Sequence, residues 1–396
     1  MNPIENMQHV LEQLQQSGNF RSLPSVVYDG RWVTNAEGVR MLNLASNDYL
    51  GLANELSLRE EFLAEMTPAA FEPTSSSSRL LTGNKTAFVD LENQLAQMFQ
   101  TEAALTFNSG YHVNTGLLPA VADANTVILA DKLVHASLID GIRLSAAKAV
   151  RYKHNDYVQL ERLLRQYAPN ASQVIIVTES VFSMDGDVAD LPLLVQQKKQ
   201  YDNVLLYVDE AHAFGVRGAQ GLGYAEETGT MGDIDFLVGT FGKAAASAGA
   251  YWVGKQIIKD FLVNRMRTFI FTTALPPVCA QWTGFMLRYF PAFAERRQKL
   301  AELTSALSRG LEAKGYPALS QSHIVPLMVG DSKEAVRLAQ CLQRKGFYVM
   351  PVRPPTVPEG TSRIRISLTA DVTLSEVEAF LSNVPMASEV MKGGSR

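Results

Sequence analysis

The sequence predicts an α/β protein whose large domain has a mainly parallel sheet, followed by a smaller C-terminal α+β domain. Apolar helical patterns alternate with short β-branched runs from about residue 84 to residue 254, as in parallel α/β folds. Two of these runs, SQVIIVTES (172–180) and NVLLYVDEA (203–211), are almost continuously apolar, which is typical of strands buried on both faces. The length of 396 residues also exceeds what one small core normally contains.

The N-terminal segment, residues 1–45, predicts a helix followed by a hairpin. The first sixteen residues have helical amphipathic spacing, with one apolar face formed by Ile4, Met7, Val10, Leu11 and Leu14. The runs VVYDG, RWVT and MLNLAS within 25–52 suit short paired strands that lead into the large domain.

The large domain is predicted to extend from residue 46 to residue 290. Helical spacing in TAFVDLENQLAQMF (85–99) predicts a helix, and LPLLVQQKKQ (191–200) suits a crossover helix between the two buried strands. Further strands are predicted at IDFLVGTF (234–241) and GAYWVG (249–254).

Residues 291–396 are predicted to form the smaller α+β domain. Long helices at Pro276–Tyr289 and Phe293–Lys314 flank the boundary. The predicted elements that follow are HIVPLMV (323–329), a helix over Ser332–Lys345, FYVMPV (347–352), RIRISL (363–368) and a helix near Leu374–Ser382. The final KGGSR has the composition of a tail.

Composition and charge favour a cytoplasmic enzyme over a nucleic-acid or membrane protein. The net charge of −4 argues against a general nucleic-acid binder, and no apolar run is long enough to cross a bilayer. The N-terminus lacks the basic start and apolar stretch of a secretion signal. Two cysteines, Cys279 and Cys341, predict neither a disulfide framework nor a metal cluster.

The motif VDEAH (208–212) resembles the acidic box of nucleic-acid helicases, in which the aspartate holds magnesium. That interpretation requires an upstream phosphate-binding loop of the form GxxxxGK[ST]. The segment from Gly239 to Lys243 has the wrong spacing, and Ala244 stands where the hydroxyl residue belongs. The segment GNKT (83–86) lacks the glycine before its lysine, so the ATPase hypothesis is the weaker one.

An alternative interpretation is a site for pyridoxal 5′-phosphate (PLP). Asp209 and His212 follow one buried strand and Lys243 follows the next, and ligands of open α/β sheets bind at such strand ends. PLP requires a lysine for its Schiff base and a carboxylate for its ring nitrogen. Singly, a snorkelling lysine, a helix-capping aspartate or a buried structural histidine is the more frequent case. Their occurrence together at strand ends favours PLP.

A phosphate-binding element is predicted in FNSGYHVNTG (107–116). Gly110 and Tyr111 lie at a probable helix start, where free N–H groups and the helix dipole favour an anion. Thr240, three residues before Lys243, offers a further hydroxyl to a phosphate.

With these residues in place, the chain resembles the α-oxoamine synthases over nearly its whole length. These are PLP-dependent acyltransferases of the aspartate-aminotransferase fold, fold type I, which act as homodimers. The matching motifs are LNLASNDYLGL (42–52), SRLLTGN (78–84), HASLIDG (135–141), ESVFSMDGD (179–187), VDEAHAFGVRGAQGLG (208–223) and TFGK (240–243).

The resemblance implies a role for individual residues. Lys243, His135 and Asp209 are the implied catalytic residues, with Lys243 in the Schiff base, Asp209 at the pyridine nitrogen and His135 on the ring face. The implied cofactor contacts are completed by His212, Ser183, Gly110, Tyr111, Thr240 and, from the second subunit, Thr272. The implied substrate contacts are Arg365 and Asn47 for the amino acid and Arg21 and Thr356 for the acyl group. For Arg365 and Arg21, a surface charge remains the alternative.

Within the family, the run RPPTVPEGTSRIRISLTA (353–370) favours the member that joins L-alanine to a pimeloyl thioester in biotin biosynthesis. Members that use glycine with acetyl-CoA, and other acyl transferases, share the catalytic residues and remain open. A non-catalytic scaffold is a further alternative, which predicts a colourless protein. An acyl carrier protein could deliver the acyl group to a basic cluster of Arg143, Lys148, Arg151 and Lys153, although such clusters are more often solvated surface.

Two segments depart from the family pattern. The chain has TSSSS (74–78) where the family often has glycines, and serines tolerate positive φ less well than glycine. After Lys243 it has AAASAG (244–249), which predicts a tighter pocket.

Overall fold

The computed structural model describes residues 2–390, and the tail KGGSR lies outside the described residues. Contacts divide the chain into two compact units. The larger unit holds residues 55–183 and 188–295, and the smaller one holds residues 2–54, 184–187 and 296–390. The residues of the predicted N-terminal segment therefore share a unit with C-terminal residues, whereas the sequence prediction set them apart.

The strands alternate with helices along most of the chain. In chain order the strands are β1 (Val26–Asp29), β2 (Trp32–Asn35), β3 (Arg40–Asn43), β4 (Ala103–Phe107), β5 (Thr126–Asp131), β6 (Lys148–Tyr152), β7 (Gln173–Glu179), β8 (Val204–Asp209), β9 (Phe236–Thr240), β10 (Ala250–Gly254), β11 (Ile324–Gly330), β12 (Phe347–Tyr348), β13 (Pro351–Val352) and β14 (Ser362–Ser367).

The helices include several short ones. They are α1 (Pro3–Gln16), α2 (Leu56–Glu65), α3 (Thr86–Phe99), α4 (Gly110–Val121), α5 (Ala136–Leu144), α6 (Tyr157–Tyr167), α7 (Leu191–Lys198), α8 (Tyr224–Glu227), α9 (Gln256–Arg265), α10 (Arg267–Ile270), α11 (Pro277–Arg288), α12 (Ala294–Ala313), α13 (Ser332–Arg344), α14 (Leu374–Asn383) and α15 (Ala387–Val390). A π-helical turn covers Arg79–Gly83, and 3₁₀ turns cover Met231–Asp233 and Phe290–Phe293.

The larger unit is built on a seven-stranded sheet in the order β4-β10-β9-β8-β7-β5-β6. Strand β10 is antiparallel to both of its neighbours, and the other adjacent pairs are parallel. Every residue of β5 and all but the first residue of β7 are buried, as expected for strands covered on both faces. The prediction of an α/β unit with a mainly parallel sheet is therefore confirmed.

The smaller unit contains two smaller sheets. One has the order β1-β2-β3-β12, with the hairpin strands antiparallel and β12 parallel to β3; the other has the order β11-β14-β13. Strand β14 is antiparallel to both of its neighbours. Helix α1 forms as predicted, with Asn2 as its N-cap, but none of its side chains is buried within the chain.

One predicted strand is wrong. The run FYVMPV forms two strands in different sheets, β12 and β13, with Val349 and Met350 between them. The physical reason is Pro351, whose nitrogen has no hydrogen to give to a ladder and which therefore begins a new edge strand rather than continuing β12.

The helices of the described chain, residues 2–390, include none that is both long enough and apolar enough to span a membrane.

Candidate active site

Two neighbouring strands of the larger sheet bring an acid and a lysine to the same edge. Strands β8 and β9 pair in parallel, and they end at Asp209 and Thr240. Lys243 lies in the turn after β9, and its Nζ is 2.8 Å from Nε2 of His212. The geometric prediction that these side chains meet at adjacent strand ends is confirmed.

These side chains line a cavity of about 210 Å³ at the strand ends. The lining contains the predicted cofactor residues Gly110, Tyr111, His135, Asp209, His212, Thr240 and Lys243, and it adds Asn114, Ser137, Glu179 and Ala211.

Asp209 is held in the cavity wall by two donors. Its Oδ2 accepts a hydrogen bond from Nδ2 of Asn114 at 2.7 Å, and its Oδ1 accepts one from the Ala211 N–H at 2.9 Å. The residue is only 7% exposed. A buried carboxylate fixed in this way can present one face to a cationic partner without rearranging.

His135 is the N-cap of α5 and lines the cavity with its ring. Its Nδ1 lies 2.7 Å from Oγ of Ser137, and its backbone N–H donates to Oε1 of Glu179 at 2.5 Å. Burial lowers the pKa of His135, Lys243 lowers it further, and Asp209 opposes them. The imidazole is therefore neutral at neutral pH and suited to stacking on an aromatic ring.

Glu179 is a site residue that the sequence pattern did not single out. It is the last residue of β7 and pairs in register with Asp209 of β8. Burial, and secondarily the charge of Asp209, raises the pKa of Glu179 well above its usual value, which favours the protonated, neutral form of this side chain. The available signal was its position at a strand end in ESVFSMDGD, next to the strand that carries Asp209.

The predicted phosphate element is the start of α4. Ser109 is the N-cap and accepts from the His112 N–H, and α4 begins at Gly110 as expected. The first N–H groups of a helix have no partner within it, so they are available to an anion. Thr240 Oγ1 donates to the Gly249 carbonyl at 2.9 Å, which leaves its lone pairs as acceptors and makes it a weaker phosphate donor than expected.

Two predicted cofactor residues lie away from the cavity lining. Ser183 is buried four residues beyond the end of β7. Thr272 lines a different small pocket, where its Oγ1 accepts from Nδ2 of Asn108 at 3.4 Å. Their contacts with the cofactor remain predictions.

The predicted substrate residues lie in the smaller unit, and their contacts with substrates remain predictions. Arg365 on β14 donates from Nη1 to Oδ1 of Asn47 at 3.2 Å and from Nη2 to the Tyr49 hydroxyl at 3.3 Å. Arg21 donates from Nη2 to Oγ1 of Thr356 at 3.1 Å.

Glu210, the second acid of VDEAH, has a structural role. It is fully buried, and its two oxygens accept from the Ser180 hydroxyl and from the N–H groups of Tyr224 and Ala225. Burial raises the pKa of Glu210 to about 7. This acid therefore organises the chain up to α8 instead of holding a metal.

The basic cluster does not form a single surface. Lys148 and Arg151 lie three residues apart on the edge strand β6, so their side chains point to opposite faces. Lys148 Nζ is 4.6 Å from the centre of the Tyr167 ring, and Arg143 lies 3.6 Å from the carboxylate of Asp140.

The two segments that depart from the family pattern share one backbone feature. Ser76 in TSSSS has φ +54°, and Ala246 in the segment after Lys243 has φ +49°. Both take a left-handed conformation that favours glycine. The Ala246 turn is held by its own N–H to the Lys243 carbonyl and by Trp282 Nε1 to the Ala246 carbonyl, both at 2.9 Å.

The model of the aminotransferase class I and II family matches residues 39–384 of the chain. The chain belongs to this family. The family match overturns the helicase-type interpretation of VDEAH and confirms both the fold class and the resemblance predicted from sequence.

Two curated relatives are similar over almost the whole chain. A protein of Glaesserella parasuis serovar 5 is 55% identical over 374 residues, which cover 94% of this chain and 98% of the relative. A protein of Neisseria meningitidis serogroup A is 53% identical over 370 residues, which cover 93% and 97%. Both carry the name 8-amino-7-oxononanoate synthase in provisional form.

Solved structures confirm the fold and the cofactor class. A serine palmitoyltransferase from S. paucimobilis with a bound PLP–myriocin aldimine has a TM-score of 0.88 at 27% identity, with 98% of both chains covered. An 8-amino-7-oxononanoate synthase from Francisella tularensis has a TM-score of 0.74 at 27% identity, covering 88% of this chain and 98% of that one. The chain is a PLP-dependent enzyme.

The cavity fits this cofactor. A lysine amine, a buried carboxylate and a neutral imidazole line the same space as the first turn of α4. A Cβ added at Gly110 would be in ordinary van der Waals contact with Thr240 at 3.8 Å, and Gly110 itself lines the cavity, so a phosphate bound at the start of α4 would lie beside Thr240. The donor set therefore provides a group for each part of PLP.

Proposed function

We propose that the chain condenses L-alanine with a pimeloyl thioester, with loss of CO₂, to form 8-amino-7-oxononanoate for biotin biosynthesis. The observation that carries the proposal is the cavity in which Lys243, Asp209 and His135 meet, in a chain more than half identical to relatives of that name. We further propose a cytoplasmic homodimer in which Thr272 of one subunit contributes to the site of the other.

The residues of the larger unit would hold the cofactor. When bound, PLP supplies an electron-accepting ring that stabilises negative charge on the Cα of the amino acid. Lys243 would bond to the aldehyde carbon, and Asp209 would hold a proton on the ring nitrogen. The N–H groups of Gly110 and Tyr111 would bind the phosphate, and His135 would cover one ring face.

The side chains that the sequence resemblance implied as substrate contacts would then act together with Lys243. Arg365, with Asn47, would bind the carboxylate of alanine. The amino group of alanine would replace Lys243 at the aldehyde carbon, and the freed Lys243 amine would then remove the Cα proton as general base. A carbon–carbon bond forms between Cα and the thioester carbon while the carbon–sulfur bond breaks and the thiol leaves.

The resulting β-keto acid loses its carboxyl group as CO₂, and a proton returns to Cα. His135, which lines the cavity, would assist this last transfer. Arg21 and Thr356 bind the acyl group before the condensation.

A product assay tests the substrate pair. Alanine, glycine and serine are each offered with pimeloyl, acetyl and palmitoyl thioesters, on coenzyme A and on acyl carrier protein, and the amine products are identified by mass spectrometry. We expect product from alanine with the pimeloyl donors. Preferred turnover of glycine with acetyl-CoA, or of serine with palmitoyl-CoA, would overturn the proposal while leaving the cofactor site intact.

A further inference from the structure

Asn114, which lies in the predicted phosphate-binding segment but was not itself predicted as a site residue, is at the centre of a buried polar network beside the cavity. It is 1% exposed and lies on α4, four residues after Gly110. Its Nδ2 donates to Oδ2 of Asp209 at 2.7 Å and to Oγ of Ser137 at 2.9 Å. Its Oδ1 accepts from the Tyr207 hydroxyl at 2.5 Å. Both polar atoms of its side chain are therefore hydrogen-bonded, the nitrogen to two residues that line the cavity and the oxygen to Tyr207.

The chemistry of the neighbours fixes the direction of this amide. An ionised carboxylate only accepts hydrogen bonds, so Asp209 requires the NH₂ group of Asn114. Burial, together with the charge of Asp209, raises the pKa of Tyr207 well above its usual value, so this phenol stays protonated and donates. Turning the amide over would place its carbonyl oxygen against the Asp209 carboxylate, so that two acceptors would face each other.

The network continues to the stacking histidine. The Ser137 hydroxyl that receives the Asn114 bond lies 2.7 Å from Nδ1 of His135. The Asn114 amide is thus linked directly to the Asp209 carboxylate and, through the Ser137 hydroxyl, to the His135 imidazole. A group on α4 therefore connects the carboxylate at the end of β8 with the ring at the start of α5.

The backbone of Asn114 is also held in place. A Cβ added at Gly141 of α5 would lie 2.2 Å from the Asn114 carbonyl oxygen, so only glycine allows α5 to pack this close to α4. This close approach accounts for the glycine of HASLIDG. The position of Asn114 is therefore fixed by the close packing of α4 against Gly141 of α5.

We propose that Asn114 is a positioning residue that sets the orientation of Asp209 and His135 toward the PLP ring. The inference rests on the proposed contact of Asp209 with the ring nitrogen. It adds a function for α4, whose first turn would bind the phosphate while its second turn aligns the acid.

The test compares Asn114→Asp with Tyr207→Phe as PLP-loaded proteins without substrates. In Asn114→Asp a carboxyl of the same shape faces Asp209, so the NH₂ donor is lost and the two acids either repel or share one proton, which weakens the negative charge of Asp209. We expect PLP to bind on the order of 10-fold to 100-fold more weakly, the size expected for one charge-assisted hydrogen bond, and the visible absorption band of the bound cofactor to change. Tyr207→Phe keeps the bond to Asp209 and should change PLP affinity by less than about threefold.

Two further variants separate positioning from folding. Asn114→Ala removes the donor without adding a charge, and it should show the same weakening if Asn114→Asp does not fold. Asn93→Asp adds the same charge on the exposed side of α3 and should leave both readouts unchanged. Lower thermal stability of the Asn114 variants with unchanged PLP affinity and absorption would overturn the proposal. Since no substrate is used, the result is independent of whether alanine and a pimeloyl thioester are the true pair.

Discussion

The cavity of the larger unit and the arginine cluster of the smaller unit, formed by Arg365 and Arg21 with their hydrogen-bond partners, hold their polar groups in different ways. In the cavity, Asp209, His212 and Asn114 are at most 7% exposed, and the Asn114 bonds are 2.5 to 2.9 Å long. Arg365 is only partly buried and donates to the neutral oxygens of Ser367, Asn47 and Tyr49 over 2.5 to 3.3 Å, and Arg21 is exposed. A buried polar network keeps its geometry before any ligand arrives, whereas a partly exposed cation can reorient toward an incoming carboxylate. Substitutions in the cavity should therefore change turnover, and those in the arginine cluster should change substrate affinity.

The largest effect is expected for Lys243→Ala. The variant loses both the bond to the cofactor and the general base, so kcat should fall by on the order of 10⁴-fold. The measurement is steady-state turnover, together with mass spectrometry after borohydride reduction. Wild type should show the cofactor attached to the peptide that contains Lys243, and the variant should show none.

Lys255→Ala is the control for this prediction. Lys255 precedes α9 and is exposed, so its loss should leave both turnover and the reduced adduct unchanged. An adduct on another lysine in wild type would contradict the assignment of the whole cavity.

The second largest effect is expected in the arginine cluster. Arg365→Ala removes a guanidinium proposed to bind the carboxylate of alanine, and KM for alanine should rise on the order of 10-fold to 100-fold. Because the cavity is untouched, PLP affinity and the visible band should stay as in wild type. The exposed Arg337 of α13, as Arg337→Ala, serves as the control. A fall in kcat with unchanged KM would contradict the assignment of substrate affinity to the arginine cluster and of turnover to the cavity.

The strand ends and the lysine were predictable because they depend on local sequence. Continuous apolar runs defined β7, β8 and β9 to within two residues at either end, and the side chains that follow parallel strands must meet at one edge. Asp209, His212 and Lys243 therefore followed from the pattern alone.

The positions of Asn114 and Ser137 could not be predicted in the same way. Both lie within helices, and their contact with Asp209 depends on how closely α4 packs on α5. The broken strand at Pro351 and the grouping of residues 2–54 with the C-terminal part likewise depend on pairing between distant segments. Periodicity identifies an element but does not select its neighbours.

A third effect distinguishes two buried acids at neighbouring strand ends. In Glu179→Gln the amide oxygen still accepts a hydrogen bond from the His135 N–H. The glutamine side chain does not titrate, whereas the wild-type Glu179 carboxyl takes up a proton on folding. Because the pKa of Glu179 is raised in the folded protein, the stability of the wild type falls relative to the variant as the pH rises above 4.5. The loss is about 1.4 kcal/mol per pH unit and ends when the pH reaches the folded-state pKa. Urea unfolding of both proteins from pH 5 to pH 8 measures this divergence.

Glu210→Gln also removes a proton-linked group, because burial raises the pKa of Glu210 to about 7, but it carries a further cost that does not depend on pH. Both oxygens of Glu210 accept from donors, so an amide NH₂ there would face an N–H or hydroxyl and lower stability by about 1–3 kcal/mol. Parallel pH curves for wild type and Glu179→Gln would show that Glu179 is ionised in the folded protein.

The smallest effect concerns the turn that carries Lys243. Ala246 has φ +49°, which disfavours a side chain by about 1 kcal/mol, and glycine would relieve that strain while adding about 0.5–1 kcal/mol of unfolded-state entropy. We therefore expect Ala246→Gly to remain within about 0.5 kcal/mol of wild type in urea unfolding. Ala245→Gly, at a fully buried neighbour outside the positive-φ region, loses a packed methyl as well and should fall by about 1–2 kcal/mol. Equal losses of unfolding free energy in the two variants would mean that alanine fits equally well at positions 245 and 246. The rigidity of the cavity would then come from the buried network and not from this turn.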